Sequence, residues 1–121
     1  MEALHKQHCR SYSKGESFID QNMRNKLILE LPFWEIVVHQ EVETLTQEFR
    51  LLGFQEAFNF TSQIASLAEE QNHHPKIITE WGKVTVYWWS HEIKGLHLND
   101  FIMAAKTDLA FKLLTEKENN H

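Results

Sequence analysis

The chain has 121 residues, of which 42% are hydrophobic and 24% charged. Those proportions are typical of a globular protein, and the length suits one domain with a single core. The formal net charge is −5, and the 12 Lys and Arg residues are scattered among 17 Asp and Glu residues. Because no basic face forms, nucleic acid is disfavoured as the main partner.

The cysteine content and the N-terminal composition favour an intracellular protein. Cys9 is the single cysteine, which excludes an internal disulfide and fits a reducing compartment. No apolar run reaches the roughly 20 residues of a membrane helix. The N-terminal segment also lacks the apolar core of a signal peptide. We therefore expect a cytoplasmic protein without membrane contact, in which residues 1–16 form a flexible tail.

The first half of the chain predicts a helix followed by two strands. A short helix or turn-rich lead-in is expected over 17–31, and Pro32 ends it. Its apolar residues recur every four positions: Ile19, Met23, Leu27 and Leu31. The β-forming residues at 34–38 predict one strand, and 44–52 predict the next.

A long amphipathic helix is the clearest element of the sequence. Between residues 54 and 68, apolar side chains follow the i, i+3, i+4, i+7 pattern. We expect this helix to fray near Gln71, because the residue before Pro75 is disfavoured in the helical region. A hairpin with strands at 77–79 and 84–90 follows.

The last predicted element is a helix that Asn99 caps. Its buried face is expected to consist of regularly spaced apolar residues: Ile102, Ala105, Leu109 and Leu113. The single domain then comprises residues 17–115, and residues 116–121 form a frayed C-terminal tail.

The order of these elements predicts the fold class. Short connections within each strand pair favour antiparallel pairing. We therefore expect an α+β fold with a four-stranded antiparallel sheet and helices packed on one face, in the order α-β-β-α-β-β-α. A partner is expected as well, because the strands carry large aromatic side chains that are seldom left exposed on a monomer.

Three histidines lie at the ends of predicted elements. His73 and His74 precede Pro75 after the long helix, and His91 ends the hairpin. In an antiparallel hairpin, the start of the first strand lies beside the end of the second, so the three rings are predicted to converge. Imidazole is the side chain whose unperturbed pKa lies nearest neutrality, which suits it to proton transfer or metal binding.

Three interpretations of these histidines stay open from the residues alone. They can be polar side chains that cap a helix and border a loop. They can bind zinc, although adjacent histidines diverge and the i, i+4 spacing of a helical zinc site is absent. They can also act in metal-free acid–base catalysis, with Glu69, Glu92 or Asp100 orienting the rings. Trp81 is then expected to line the same cleft and stack on a flat ligand.

The spacing of these residues resembles the signature of the pterin-4a-carbinolamine dehydratases. That pattern is an acidic residue, three positions, His-His-Pro, a short spacer, an aromatic residue, nine positions, a histidine and a later aspartate. The matching residues in this chain are Glu69, His73, His74, Pro75, Trp81, His91 and Asp100. The stretches Phe54-x-x-Ala57-Phe58 and Gly95-Leu96-x-Leu98-x-Asp100 are also similar to the family, and the resemblance spans 34–109.

The resemblance implies a 4a-hydroxytetrahydrobiopterin dehydratase, a hydro-lyase without a cofactor or a metal. Such an enzyme converts 4a-hydroxytetrahydropterin to quinonoid dihydropterin and water, which recycles the cofactor of aromatic amino acid hydroxylases. The family's active-site histidines match His73, His74 and His91. We expect His73 and His91 to form the acid–base pair and His74 mainly to orient the pterin. The expected substrate-binding residues are Glu69, Pro75, Trp81, Ser90 and Asp100.

The resemblance also implies assembly and a second role. Family members assemble as dimers or as dimers of dimers, so we expect a homodimer or a homotetramer. Some members act as dimerisation cofactors of a transcription regulator. A protein-interaction role of the same fold is therefore the alternative function, with a protein partner in place of the pterin substrate.

Overall fold

The computed structural model describes residues 2–13 and 15–119, with residues 118 and 119 as backbone alone. The elements in this part of the chain are a 3-10 helix Leu4–Lys6, α1 Gln21–Ile28, β1 Glu35–His39, β2 Val42–Arg50, α2 Phe54–Gln71, β3 Lys76–Glu80, β4 Lys83–Trp88 and α3 Leu98–Asn119. The predicted order, α-β-β-α-β-β-α, is confirmed. Among the described helices, none is long and apolar enough to cross a membrane.

The four strands form one antiparallel sheet in the order β1-β2-β4-β3. At its centre β2 pairs with β4, so that Leu45 lies opposite Trp88 and Phe49 opposite Val84. Side chains alternate along each strand, and these four are buried on the face that α2 and α3 cover. The predicted α+β fold, with helices packed on one face of the sheet, is confirmed.

Aromatic side chains fill the core between the sheet and the helices. Phe49, Phe60 and Phe111 bring together β2, α2 and α3, with ring centroids 4.8 to 5.3 Å apart. Trp88 is fully buried, and its Nε1 donates to Oγ1 of Thr107 at 3.1 Å. Because this indole N–H has a partner inside the core, Trp88 can be buried without an unsatisfied donor.

The start and end of helix α3 differ from the prediction. The helix begins at Leu98, so that His97 rather than Asn99 is its N-cap residue. Nδ1 of His97 accepts the N–H of Asn99 at 3.1 Å, while Oδ2 of Asp100 accepts the N–H of His97 at 2.9 Å. This reciprocal pair is a capping box built on histidine, a residue that cap preferences do not point to. At the other end, the helix passes the predicted domain limit of 115 and continues to Asn119.

The buried face of α3 is also wider than the predicted stripe. Ile102 is 1% exposed as expected, whereas Leu109 and Leu113 are 37% and 57% exposed. The helix contacts the 3-10 helix, α2, β2 and β4, so burial extends around much of its circumference. The additional buried residues are Asn99, Asp100, Phe101, Met103, Ala104 and Thr107.

The N-terminal residues differ from the expected tail because they are attached to the domain. Leu4 is 3% exposed and belongs to the core cluster. The N–H of Cys9 donates to Oε1 of Gln71 at 2.8 Å, and the N–H of Arg10 donates to Oδ1 of Asn99 at 3.1 Å. Backbone hydrogen bonds to polar side chains of α2 and α3 hold the segment in place, an arrangement that composition does not reveal.

Alanine substitutions of two leucines near the end of α1 test how this helix packs. Leu27 is 1% exposed and Leu29 is 81% exposed. We expect Leu27→Ala to lower the free energy of unfolding by about 2–5 kcal/mol, because it removes buried methyl groups and leaves a cavity. Leu29→Ala is the matched control, with an expected change below about 0.5 kcal/mol. Urea unfolding followed by Trp fluorescence measures both, and equal losses would contradict this packing.

Candidate active site

The end of α2 turns the chain towards the hairpin through a left-handed residue. Asn72 has φ 52°, a conformation that asparagine adopts at lower cost than most residues. Its N–H donates to the carbonyl of Glu69 at 3.3 Å, and the N–H of His73 donates to the carbonyl of Ala68 at 3.1 Å. These two bonds form a Schellman motif, which fixes the backbone at His73. The helix therefore ends in a defined cap rather than by fraying.

The predicted convergence of the histidines is confirmed. His73, His74 and His91 line one cleft of about 300 Å³. Nε2 of His91 donates to the backbone carbonyl of His74 at 3.0 Å, across the gap between the two ends of the hairpin. The antiparallel pairing of β3 with β4 is what brings them together, since it places Tyr87 opposite Lys76 at this end of the sheet.

His73 is 7% exposed and its ring is held by three neighbours. Nε2 donates to Oδ1 of Asp100 at 2.7 Å, and the ring lies parallel to Trp88 at 9° with centroids 5.8 Å apart. The Tyr12 hydroxyl is 3.4 Å from Nδ1. Because a carboxylate oxygen can only accept, Nε2 carries a hydrogen, and Nδ1 is the nitrogen through which His73 can exchange a proton.

Asp100 is fully buried and supports His73 from behind. Besides the His73 ring, its carboxylate accepts Oγ–H of Ser90 at 2.8 Å and the backbone N–H of His97 at 2.9 Å. A carboxylate removed from water is stable only with such partners. Ser90 is itself fully buried and fixed by a β-bridge to Gly95. Ser90 and Asp100, predicted to bind substrate, therefore lie behind the histidine rather than on the cleft surface.

His74 and His91 are more exposed than His73. Nε2 of His74 pairs with the Glu69 carboxylate one turn back on α2, and the His74 side chain is 53% exposed. The His91 ring stacks on Trp89, with centroids 4.4 Å apart. Each of the three histidines thus commits Nε2 to a protein acceptor, which leaves Nδ1 as the nitrogen for substrate chemistry.

The remaining predicted residues lie on either side of the hairpin. Pro75 directly follows His74 and leads into β3. Trp81, by contrast, lies in the turn between β3 and β4 and is 74% exposed. The five residues of β3 carry the chain about 16 Å, so Trp81 is at the opposite end of the hairpin from the histidines. The expectation that Trp81 lines their cleft is wrong for this chain. Trp81 is close to the histidines in sequence, but the extended strand β3 separates them in space.

Tyr12 is a cleft residue that the sequence pattern did not indicate. Together with Asn72 and Glu92, it lines the cleft of the histidines. It also borders an adjoining cleft of about 300 Å³, whose wall includes Arg10 and Asn99. Tyr12 precedes His73 by 61 residues in a polar segment, and no spacing rule connects the two. The one feature of the sequence that points to Tyr12 is that it is an aromatic residue within an otherwise polar segment.

An ion cluster attaches the N-terminal segment to the start of α3. Oε2 of Glu16 lies 2.7 Å from Nη2 of Arg10 and accepts Nε2–H of His97 at 2.6 Å. The Arg10 guanidinium, the backbone N–H of Ser13 and the His97 ring hold the pKa of Glu16 well below its usual range. Since the N–H of His97 binds Asp100, the cluster connects the segment to the carboxylate behind His73.

Cys9 lies beside the adjoining cleft but is not a candidate nucleophile. Burial raises the pKa of its thiol to about 12, and the Asp100 charge adds to the rise while Lys106 opposes it. A thiol with such a pKa stays protonated at neutral pH, and the thiolate is the reactive form.

The side chains of the site are suited to proton transfer. Within residues 2–13 and 15–119, no three His, Cys, Asp or Glu side chains are grouped so that they could hold a metal ion. The three imidazoles line one cleft, and each has Nε2 held by a protein acceptor and Nδ1 left to act as an acid or a base. An α+β domain with a buried Asp–His pair beside such a cleft has the groups that acid–base catalysis requires.

Comparison with known proteins places the chain more closely. The model of the family described as pterin 4 alpha carbinolamine dehydratase matches residues 17–110. A protein of Chlorobium luteolum is 44% identical over 114 residues, which cover 94% of this chain and all of that protein. One of Nitrosococcus oceani is 46% identical over 112 residues, which cover 93% and 99%. Both carry the provisional name pterin-4-alpha-carbinolamine dehydratase. The chain belongs to the pterin-4a-carbinolamine dehydratase family.

A solved structure shares the fold. The crystal structure described as a transcriptional coactivator/pterin dehydratase from Brucella melitensis matches with a TM-score of 0.70 and 28% identity. The match covers 98% of that chain and 78% of this one. Nearly the whole Brucella chain therefore has a counterpart here.

The Glu16 cluster predicts a pH-dependent contribution to stability. Because the pKa of Glu16 is lowered by folding, the stability it adds is complete above its ordinary value of 4.5 and is lost as the pH falls below it. Wild type should therefore be more stable than Glu16→Gln at neutral pH, and the difference should shrink in acid. Urea midpoints at about pH 7, 5 and 3 measure this. A difference that does not change with pH would contradict the ion cluster.

Proposed function

We propose that this chain dehydrates 4a-hydroxytetrahydropterin by histidine acid–base catalysis. The observation that carries the proposal is the environment of His73, whose Nε2 is held by the buried Asp100 carboxylate at 2.7 Å. Its Nδ1 lies 3.4 Å from the hydroxyl of Tyr12, which lines the same cleft as the three histidines. Membership of the dehydratase family supports the choice of substrate.

The reaction removes a hydroxyl group and a proton from neighbouring atoms of the pterin. The bond between C4a and the hydroxyl oxygen breaks, the N5 lone pair forms the C4a–N5 double bond, and N5 loses its proton. The products are quinonoid dihydropterin and water. Since hydroxide leaves poorly at neutral pH, an acid must protonate it, and a base that accepts the N5 proton lowers the barrier further.

We assign His73 as the acid and His91 as the base. Protonated His73 gives up its proton from Nδ1, because Asp100 holds the other nitrogen and fixes the ring. His91 accepts at Nδ1, since its Nε2 donates to the His74 carbonyl. His74 is exposed and paired with Glu69, which suits it to orienting the pterin.

Substrate binding follows from the same geometry. Glu69 affects substrate binding by holding the His74 ring, and Pro75 is the residue that follows His74 in the chain. Ser90 and Asp100 act on His73 and contact the substrate only through it. Trp81 is not included, since it lies at the other end of the hairpin.

The biological setting is part of the same proposal. We place the enzyme in the cytoplasm, where a lone cysteine stays reduced and where recycling of the hydroxylase cofactor would occur. We also propose a homodimer or a homotetramer, because large apolar side chains are exposed on the described chain. Those that are more than half exposed include Phe33, Phe54, Phe58 and Leu113.

A protein-interaction role is the second candidate function. The Brucella relative is described as a coactivator as well as a dehydratase. In this chain a groove of about 440 Å³ between α2 and α3 has Leu67, Leu109 and Leu113 in its wall, which suits an apolar partner segment. A folded wild type that does not accelerate dehydration would favour this role over catalysis.

Alanine substitution of each histidine tests the assigned roles. We expect His73→Ala and His91→Ala to lower the dehydration rate between about 10²- and 10⁴-fold, because each removes a proton-transfer group. His74→Ala should raise KM with a smaller effect on kcat, since it removes an orienting contact. Stopped-flow absorbance with synthetic 4a-carbinolamine measures all three. His5→Ala is the control, and a His91→Ala rate near that of wild type would contradict the scheme.

Metal removal tests the acid–base mechanism separately. Imidazole proton transfer needs no Lewis acid, so dialysis against a chelator should leave the dehydration rate within about twofold of the untreated enzyme. Elemental analysis of the purified protein should show no stoichiometric metal. One tightly bound metal ion per chain, with activity lost on its removal, would instead support the zinc interpretation.

A further inference from the structure

Tyr12 lies at the junction of the two clefts beside His73. It is the aromatic residue common to both walls, and its hydroxyl is 3.4 Å from Nδ1 of His73. Its ring meets the buried His97 ring edge-on, at 86° with centroids 4.9 Å apart. The Tyr12 ring therefore packs against His97, and its hydroxyl lies beside Nδ1, the nitrogen through which His73 can exchange a proton.

The backbone on both sides of Tyr12 is anchored to the domain. Before it, the N–H of Arg10 donates to Oδ1 of Asn99 at 3.1 Å, and Nδ2 of Asn99 donates to the carbonyl of Arg10 at 2.8 Å. After it, the N–H of Ser13 donates to Oε1 of Glu16 at 2.8 Å. Because both neighbours are held, the position of the phenol is set by the fold.

The His73 ring is nearly enclosed, and Tyr12 lines both clefts that His73 borders. Asp100 occupies Nε2, Trp88 lies against the ring face, and only 7% of the residue is exposed. Burial raises the pKa of the Tyr12 phenol, with the Asp100 charge adding to the rise, so the hydroxyl stays protonated at neutral pH. A protonated phenol both donates and accepts a hydrogen bond, as a proton relay requires.

We propose that Tyr12 relays the proton from His73 to the departing 4a-hydroxyl group. The inference rests on the dehydratase function proposed above. Nδ1–H of protonated His73 passes its proton to the Tyr12 oxygen as the Tyr12 hydroxyl gives its own proton to the 4a-oxygen. The C4a–O bond breaks and water leaves, while His91 takes the N5 proton. Tyr12 ends unchanged, His73 ends neutral, and exchange with solvent restores both histidines.

Tyr12→Phe is the direct test, because it keeps the ring that packs on His97 and removes only the hydroxyl. We expect kcat for dehydration to fall at least about 10-fold with KM within about twofold, since the loss affects the transition state rather than binding. The matched control is Tyr87→Phe. Tyr87 is the other tyrosine of the chain and stacks on His39 on the open sheet face, so this variant should keep wild-type kcat and KM.

A spectroscopic measurement separates the relay from simple packing. In protein labelled with ¹⁵N-histidine, Tyr12→Phe should change the Nδ1 chemical shift of His73 and leave that of His91 unaltered, with the unfolding midpoint close to wild type. Wild-type kcat in Tyr12→Phe, a loss confined to KM, or an unchanged His73 Nδ1 shift would each overturn the relay. If wild type itself fails to accelerate dehydration, the proposed function fails rather than the relay.

Discussion

The site depends on one buried carboxylate at the start of α3. Asp100 is fully enclosed and accepts hydrogen bonds from the His73 ring, the Ser90 hydroxyl and the His97 backbone. A carboxylate without these donors would cost several kcal/mol to bury, so the four groups are fixed together. They come from the end of α2, the segment after β4 and the cap of α3. The requirement to satisfy the charge of Asp100 therefore sets how three elements meet, and it orients the His73 ring.

The same carboxylate connects the N-terminal segment to the site. His97 caps α3 with Nδ1, binds Asp100 through its N–H and donates from Nε2 to Glu16. Glu16 in turn pairs with Arg10, which brings Tyr12 beside His73. A histidine in the cap position thus couples helix formation to placement of the segment, because one ring nitrogen serves the helix and the other serves Glu16.

The fold and the convergence of the histidines could be predicted from the sequence, because both follow from periodicity and from the geometry of a hairpin. The supporting residues could not. His97 replaces a conventional cap, so the pattern pointed two residues further to Asn99. Tyr12 reaches the site across 61 residues through side-chain contacts that no local rule encodes. The position of Trp81 could not be predicted from the motif, because the motif gives only the spacing along the chain. The extended strand β3 places Trp81 far from the histidines.

The dependence of catalysis on Asp100 is tested most directly by the stopped-flow dehydration rate of folded Asp100→Asn compared with wild type, using synthetic 4a-carbinolamine. Asparagine keeps the size of the side chain but removes the charge that holds Nε2 of His73. We expect a rate lower by about 100-fold or more, as when a catalytic histidine loses its orienting carboxylate. A folded Asp100→Asn protein that dehydrates the carbinolamine at the wild-type rate would contradict this dependence.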